Sequence, residues 1–375
     1  MTKVYLFIAH MGVGGAERVC VTLANEMIKQ GREVHIVVLN LENDVNTHLL
    51  SEKSIIHSLQ VSRLRYAAPA MLRFLWKEKP ESMLVFGNEM GIILNQLRKL
   101  HLIRLRIVQR VLNNVNISLK KEDNISPIVE KYLRKQQKQL KDMDFVIAQC
   151  RGMEEMLLAR NLVDRDKLQA IYNPYNEQLI NRVETVRQPG QNRGEQKNIY
   201  FIGRLDPQKN LEDLFHAFAR VAERKSGVEL HLVGDGLLAE QHKQLVKMMG
   251  ISDKVIFEGL RKDMENVYAN ADLVVLSSEY EGMPNCLIEA IACGIPVVSY
   301  DCPIGPAEIV VEGENGYLVP FMDKEQLADK ILLALERNWD RDTIKHTADK
   351  FKASQITEQY LQIIDRTAGG SDSQK

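Results

Sequence analysis

The stretch DLVVLSSEYEGMPNCLIEAIACGIPVVSY, Asp272 to Tyr300, decides the architecture. Leu273 to Leu276 is a continuous apolar run of strand length, Ser277 to Met283 is polar, and Pro284 suits the first position of a helix running to about Cys293. Gly294 is available for a left-handed C-cap, and Ile295 to Tyr300 is a second β-branched strand. Glu281 then lies at the carboxyl end of a strand, and Glu289 about one and a half turns into the following helix. In open α/β sheets that edge is where ligands bind.

Ionised carboxylates accept hydrogen bonds in pairs. Glu281 and Glu289, flanking the turn Gly282-Met283-Pro284-Asn285, therefore suit the hydroxyls of a sugar or ribose. The backbone N–H groups of Met283, Asn285, Cys286 and Leu287 open the helix and suit an anion. A carboxylate at this position also arises from the helix dipole alone, worth about 0.3–1 kcal/mol.

The same order recurs along the whole chain. Strands are expected at Lys3 to Ala9, Glu33 to Leu39, Met83 to Phe86, Ile107 to Val111 and Phe145 to Gln149, with helices at Val19 to Gln30, Ala68 to Lys77 and Ser126 to Lys141. The polar stretch VRQPGQNRGEQK, Val186 to Lys197, reads as a linker. A second alternation follows, with strands at Asn198 to Ile202, Val228 to Val233, Lys254 to Phe257, Leu273 to Leu276 and Pro296 to Tyr300. Helices are expected near Leu211 to Lys225, Ala239 to Met249 and Asp323 to Glu336. Two doubly wound α/β halves result, 1–186 and 187–352, with a cleft expected between them. A last helix, about 353–366, is free to pack back on the first half, and 367–375 reads as a disordered tail.

At 375 residues, 45% apolar and 26% charged, the chain has the length and composition of two soluble globular domains. Five cysteines without metal spacing, and no recognisable leader, point to a reducing cytoplasm. No run of about 20 apolar residues spans a membrane. The net charge of −1 hides an asymmetry: residues 1–187 carry 28 basic and 20 acidic side chains, leaving 21 against 30 for the rest. The basic excess from Arg63 to Lys141 suits an anionic membrane surface or substrate, or simply solvated helix faces. No nucleic-acid partner is expected.

Gly12, Gly14 and Gly15 in GVGGAER precede a helix and let the backbone approach a phosphate, although Glu17 stands where a dinucleotide fingerprint needs glycine. In FIGRLDPQKN, Arg204 and Lys209 follow a strand and are able to converge on one anion; an ion pair of Arg204 with Asp206 is the plainer alternative. Gly234, Gly236 and Gly259 sit at strand ends, with Leu260 and Arg261 nearest to any base held there. Three Asp-x-Asp pairs read as solvated or capping, and His10 as structural. No Cys/His cluster has zinc spacing, and no serine stands in a nucleophile elbow.

Taken together, GGAER, NPYN, FIGRLDPQKN, VGDGLL, EGMPNCLIE and DCPIGPAEIVVEGENGYLVP resemble, in this order, the retaining glycosyltransferases of family 4 with the two-Rossmann-domain GT-B fold. The resemblance implies parallel sheets facing a central cleft and transfer of a hexose or N-acetylhexosamine from a UDP-sugar to a polyprenyl-diphosphate-linked saccharide. The products would be surface polysaccharides: lipopolysaccharide, O-antigen or capsule. It implies that Glu281 holds donor-sugar hydroxyls and Glu289 the ribose, and that Arg204 and Lys209 stabilise the leaving diphosphate with Gly14 and Gly15 closing on it. It further implies that no metal or other cofactor is needed and that the enzyme is peripheral at the cytoplasmic face of the inner membrane. Relatives often carry a histidine near QRVLNN, where this chain has Arg110, Leu112, Asn113 and Asn114. A UDP-sugar epimerase or an inactive nucleotide-sugar-binding subunit is the alternative.

Overall fold

A computed structural model describes residues 2–42, 44–112, 139–187 and 196–369. The chain forms two compact units, 1–174 with 353–375 and 175–352. In the first, strands β1 (Lys3–Ile8), β2 (Glu33–Val38), β3 (Ile55–Ser58), β4 (Ser82–Phe86), β5 (Arg106–Arg110), β6 (Phe145–Ala148) and β7 (Leu168–Ala170) form one parallel sheet in the order β3-β2-β1-β4-β5-β6-β7. In the second, β8 (Lys197–Ile202), β9 (Val228–Val233), β10 (Val255–Gly259), β11 (Leu273–Leu276), β12 (Val297–Tyr300) and β13 (Gly316–Val319) form a parallel sheet in the order β10-β9-β8-β11-β12-β13. Each order reverses beside the unit's first strand, which makes β1/β4 and β8/β11 the switch points of doubly wound sheets.

The apolar runs became strands because helices cover both faces of a parallel sheet, so its strands read as continuous Val, Ile and Leu. Three strands lack such a run. His57 and Ser58 interrupt β3, β7 is three residues long, and β13 opens on Gly316 and Tyr317. Helices Asn88–Lys99, Arg151–Ala159 and Met264–Asn270 also went unexpected, because their apolar stripes are broken by Asn95, Gly152 and Asn266. The expected helix from Ser126 to Lys141 falls mostly outside the described residues; Gln139–Asp142 is a 3-10 turn.

The first unit ends at Pro174, not at 186. Helix Glu177–Val186 packs on Met264–Asn270, and Arg187 donates to the carbonyls of Cys293 and Tyr268, so the residues before the polar stretch belong to the second unit. Positions 188–195 of the expected linker lie outside the described residues.

Helix Ala353–Gly369 returns to the first unit and extends through Thr367, where a disordered tail was expected; 370–375 lie outside the described residues. Ile356, Tyr360, Leu361, Ile363 and Ile364 join Val4, Leu6, Val19, Leu23 and Val34 in one buried cluster. Each such aliphatic side chain stabilises by roughly 1.5–3 kcal/mol on burial. Among the described residues no helix is long and apolar enough to cross a membrane.

The same helix fixes Arg110. Its Nε donates to Tyr360 Oη at 3.0 Å, its NH2 donates to Asn173 Oδ1, and its guanidinium lies 5.3 Å from the Phe86 ring. The side chain is buried and held by these partners within its own unit. Gln149 Nε2 donates to the carbonyls of Val111 and Leu112, while Asn113 and Asn114 lie outside the described residues. Tyr360→Phe leaves the buried Arg110 Nε without this acceptor. Urea denaturation should show a loss of about 1–3 kcal/mol; an unchanged midpoint would mean that Arg110 does not depend on this hydroxyl.

Candidate active site

The site is built on the β8/β11 switch point. The loop after β8 carries Arg204 to Lys209, and the loop after β11 carries Ser277 to Pro284, so adjacent strands deliver Lys209 and Glu281 to the same place. Lys209 Nζ lies 2.6 Å from Glu281 Oε1; Glu281 is buried, and the Lys209 side chain is 13% exposed. Burial alone lowers a lysine pKa. That is the largest single effect here, but Glu281, by charge and hydrogen bond, together with Cys286 and Asp206 outweighs it and holds the Lys209 ammonium above its ordinary value.

Three further bonds lock the two loops. Ser277 Oγ donates to the Lys209 carbonyl at 2.8 Å, Gln208 Nε2 to the Tyr280 carbonyl at 2.7 Å, and the Glu279 N–H to the Gln208 carbonyl at 2.9 Å. Asn210, in the left-handed region at φ 46°, turns the chain into helix Leu211–Arg224. Ser277 and Gln208 were missed from sequence; a serine just past an apolar strand reads as loop, and its burial is a tertiary fact.

Glycine closes the surroundings. At Gly234, φ is 139° and an added Cβ would fall 1.9 Å from the Gly203 carbonyl oxygen, so the loop after β9 lies directly on the loop after β8. The room beside Gly234 thus goes to the protein's own backbone and not to a base. At Gly305, φ is 103° and a Cβ would fall 2.5 Å from the Gly282 carbonyl, which seats the Pro303–Pro306 turn against the Gly282-Met283-Pro284 loop.

Helix Asn285–Ala292 begins after Pro284, which is its N-cap rather than its first residue, and Gly294 follows at φ 69°. The Leu287 N–H, expected to be available to an anion, goes to the Pro284 carbonyl at 3.2 Å. Met283 and Leu287 are buried. Burial pushes the Cys286 thiol up to about 12, so it is no thiolate nucleophile at neutral pH. Glu289 is buried, and its Oε2 accepts from Tyr268 Oη at 2.6 Å.

The remaining expected residues are placed apart from the pair or unlike it. Arg204 is 67% exposed and lies 3.3 Å from Asp206, the plainer of its two sequence readings. Leu260 is 59% exposed. Arg261 donates to Asp263 through Nε (2.8 Å) and NH2 (2.6 Å) and to Glu258 through NH1, so its guanidinium is engaged by two carboxylates. In the first unit, Gly14 caps helix Gly15–Lys29 with extended backbone. The preceding loop is pinned where the N–H groups of Val45 and Asn46 meet the Met11 carbonyl at 2.9 and 3.0 Å.

Two doubly wound parallel sheets, one in each unit, give the chain the GT-B fold class. The sequence matches the Glycosyltransferase Family 4 family over residues 13–179 and the Glycosyl transferases group 1 family over residues 182–351, and the chain belongs to the glycosyltransferases built from these two domains. It is 25% identical, over 96% of its length and 100% of the relative's, to the N-acetylgalactosamine-N,N'-diacetylbacillosaminyl-diphospho-undecaprenol 4-alpha-N-acetylgalactosaminyltransferase of Campylobacter jejuni. Among solved structures it resembles the sucrose-phosphate synthase of Thermosynechococcus elongatus (TM-score 0.77, 21% identity, 98% of this chain and 99% of that one). It also resembles Anabaena HepE in complex with UDP and glucose (TM-score 0.76, 20% identity, 97% of this chain and 100% of that one).

The Lys209–Glu281 pair carries a pH signature. A lysine raised above its unfolded value of about 10.4 contributes stability that is complete below that value and lost as pH rises through the folded one. Glu281→Gln removes the main charge that opposes burial, so the variant's penalty is largest at neutral pH, up to about 3–5 kcal/mol, and fades as Lys209 loses its proton. The stability gap between wild type and variant should therefore narrow above about pH 10 in urea titrations. A gap independent of pH would show that the pair does not set it.

Proposed function

We propose that the chain moves a hexose or N-acetylhexosamine from a UDP-sugar to a lipid-linked saccharide, with retention at the anomeric carbon and without a metal. The observation that carries this reading is the Lys209–Glu281 pair at the β8/β11 switch point. An ammonium has three donors. One reaches Glu281, and rotation about the long stem lets the group turn to a diphosphate as negative charge develops on it. Fixed cations aimed at a leaving group lower barriers strongly. The exposed Arg204 joins it from the same loop, Glu281 accepts from the sugar hydroxyls, and Glu289 accepts from the ribose. The bond from the anomeric carbon to the UDP oxygen breaks as the acceptor oxygen bonds on the same face, and the acceptor's proton passes to the departing phosphate. The Campylobacter relative's diphospho-undecaprenol substrate and the UDP and glucose in the HepE structure are consistent with this reading.

The test is a panel of UDP-sugars with undecaprenyl-diphosphate-linked acceptors in EDTA. An α-linked product from an α donor is expected, and Lys209→Ala should lower kcat about 10²–10³-fold. An inverted linkage, a requirement for added metal, or donor isomerised without acceptor would each overturn the reading; the last is the outcome an epimerase gives.

The acceptor implies work at a membrane surface. In the first unit, Trp76, Leu100 and Leu102 are exposed, Trp76 Nε1 donates to the Leu102 carbonyl at 3.0 Å, and the exposed cations Lys77, Lys99 and Arg104 are their chain neighbours. Aromatic and aliphatic side chains rimmed by cations suit anionic headgroups at the cytoplasmic face of the inner membrane. The double variant Trp76→Ala/Leu100→Ala should sediment less with phosphatidylglycerol vesicles than wild type does. Equal sedimentation would place the membrane-facing surface elsewhere.

A further inference from the structure

The first unit carries a second constellation, on the β3 edge of its sheet. His35 of β2 is buried, and its Nδ1 lies 2.8 Å from His57 Nε2 on β3. Glu78 closes helix Ala68–Glu78, and one ligand atom from each of His35, His57 and Glu78 lies within 4.8 Å of the others. We propose that His35, His57 and Glu78 bind one borderline-soft divalent cation of the zinc or copper class, a structural site separate from the sugar-transfer chemistry.

The surroundings fit that role. His35 Nε2 lies 2.8 Å from Glu33 Oε1. A carboxylate on the outer nitrogen holds that nitrogen as the N–H and leaves Nδ1 with its lone pair, the arrangement metal-bound histidines adopt. Tyr5 stacks on the His35 ring at 4.6 Å, and Phe74 meets the His57 ring edge-on at 5.0 Å, so both imidazoles are held in place. Two imidazoles and a carboxylate match zinc's preferred donors and leave a fourth position for water.

The two rings are nearly parallel, at 8°, and share a hydrogen bond that the ion would replace. Zinc–nitrogen bonds of 2.0–2.1 Å in tetrahedral geometry separate two ligand nitrogens by about 3.3 Å. The pair therefore has to open by roughly half an ångström, and His57 has to carry its proton on Nδ1. The edge strand β3 supplies that freedom, being paired on one side only. Lys3, 3.5 Å from Glu33, and Lys77, 3.7 Å from Glu78, are the nearby cations that the ion competes with.

An ion here would tie β2, β3 and helix Ala68–Glu78 together and stabilise the first unit by mass action. The experiment is calorimetric titration of the EDTA-stripped, dialysed full chain with ZnCl₂, together with thermal unfolding at each ratio. One equivalent and a rising Tm are expected. Glu33→Gln, which leaves all three ligands in place, should weaken binding about 10–100-fold, and His57→Ala and Glu78→Gln should weaken it further. Glu78 is the last residue of its helix and Gln keeps its shape, so this variant reports on binding even if His57→Ala folds poorly. No saturable heat in wild type, or Glu33→Gln and Glu78→Gln binding as tightly as wild type, overturns the proposal. Stripping the ion should lower Tm while leaving sugar transfer at low temperature unchanged.

Discussion

The reversal of strand order between β8 and β11 is the constraint on which the second unit's chemistry depends. Neighbouring crossovers leave these two strands in opposite directions, which opens the sheet's edge at this point. The loops are rejoined by one main-chain bond, the Glu279 N–H to the Gln208 carbonyl, and by side chains: Lys209 to Glu281, Ser277 to the Lys209 carbonyl, Gln208 to the Tyr280 carbonyl. The switch point is therefore bordered by groups already bonded to one another. A charged pair in such a place is weak as a source of stability, because desolvation opposes the attraction. Its value is positional, since the burial that makes it costly also makes its field strong at short range.

That arrangement explains which parts of the fold and site were legible in the sequence. Buried parallel strands announce themselves as apolar runs, so β9 and β11 were read with their observed ends, and the EGMPNCLIE loop and helix followed from Pro284 and Gly294. The strands β3, β7 and β13 did not; β3, for one, has a single neighbour and need not be apolar, its Ile55 and Ile56 are exposed and its third residue is His57. The unit boundary was misplaced for a similar reason. Pro, Gly and Gln mark where the chain is polar, but helix Glu177–Val186 chooses its unit by the partner it packs against, Met264–Asn270, some 80 positions later.

The site residues divide the same way. Lys209 and Glu281 are brought together as their positions after two adjacent strands require, whereas Arg261 is captured by Asp263 and Glu258, and Leu287 by its own helix. Sequence spacing says which loop a residue is on. It does not say which acidic neighbour reaches it first.

The two sheets also share a detail that bears on the histidine cluster. In the first, Tyr5 pairs in register with His35 and their rings stack at 4.6 Å; in the second, Tyr200 pairs with His231 and the rings stack at 4.5 Å. Both histidines sit on the second strand from a sheet edge, and both meet a side chain of the edge strand at 2.8 Å, His57 in one case and Glu258 in the other. The second copy cannot take a cation as the first can, because Arg261 already lies on Glu258 and supplies the positive charge itself. The edge strand offers an imidazole, His57, in the first sheet and a carboxylate, Glu258, in the second. The same pairing of strands thus closes one edge with a built-in cation and leaves the other with three metal-type donors, His35, His57 and Glu78.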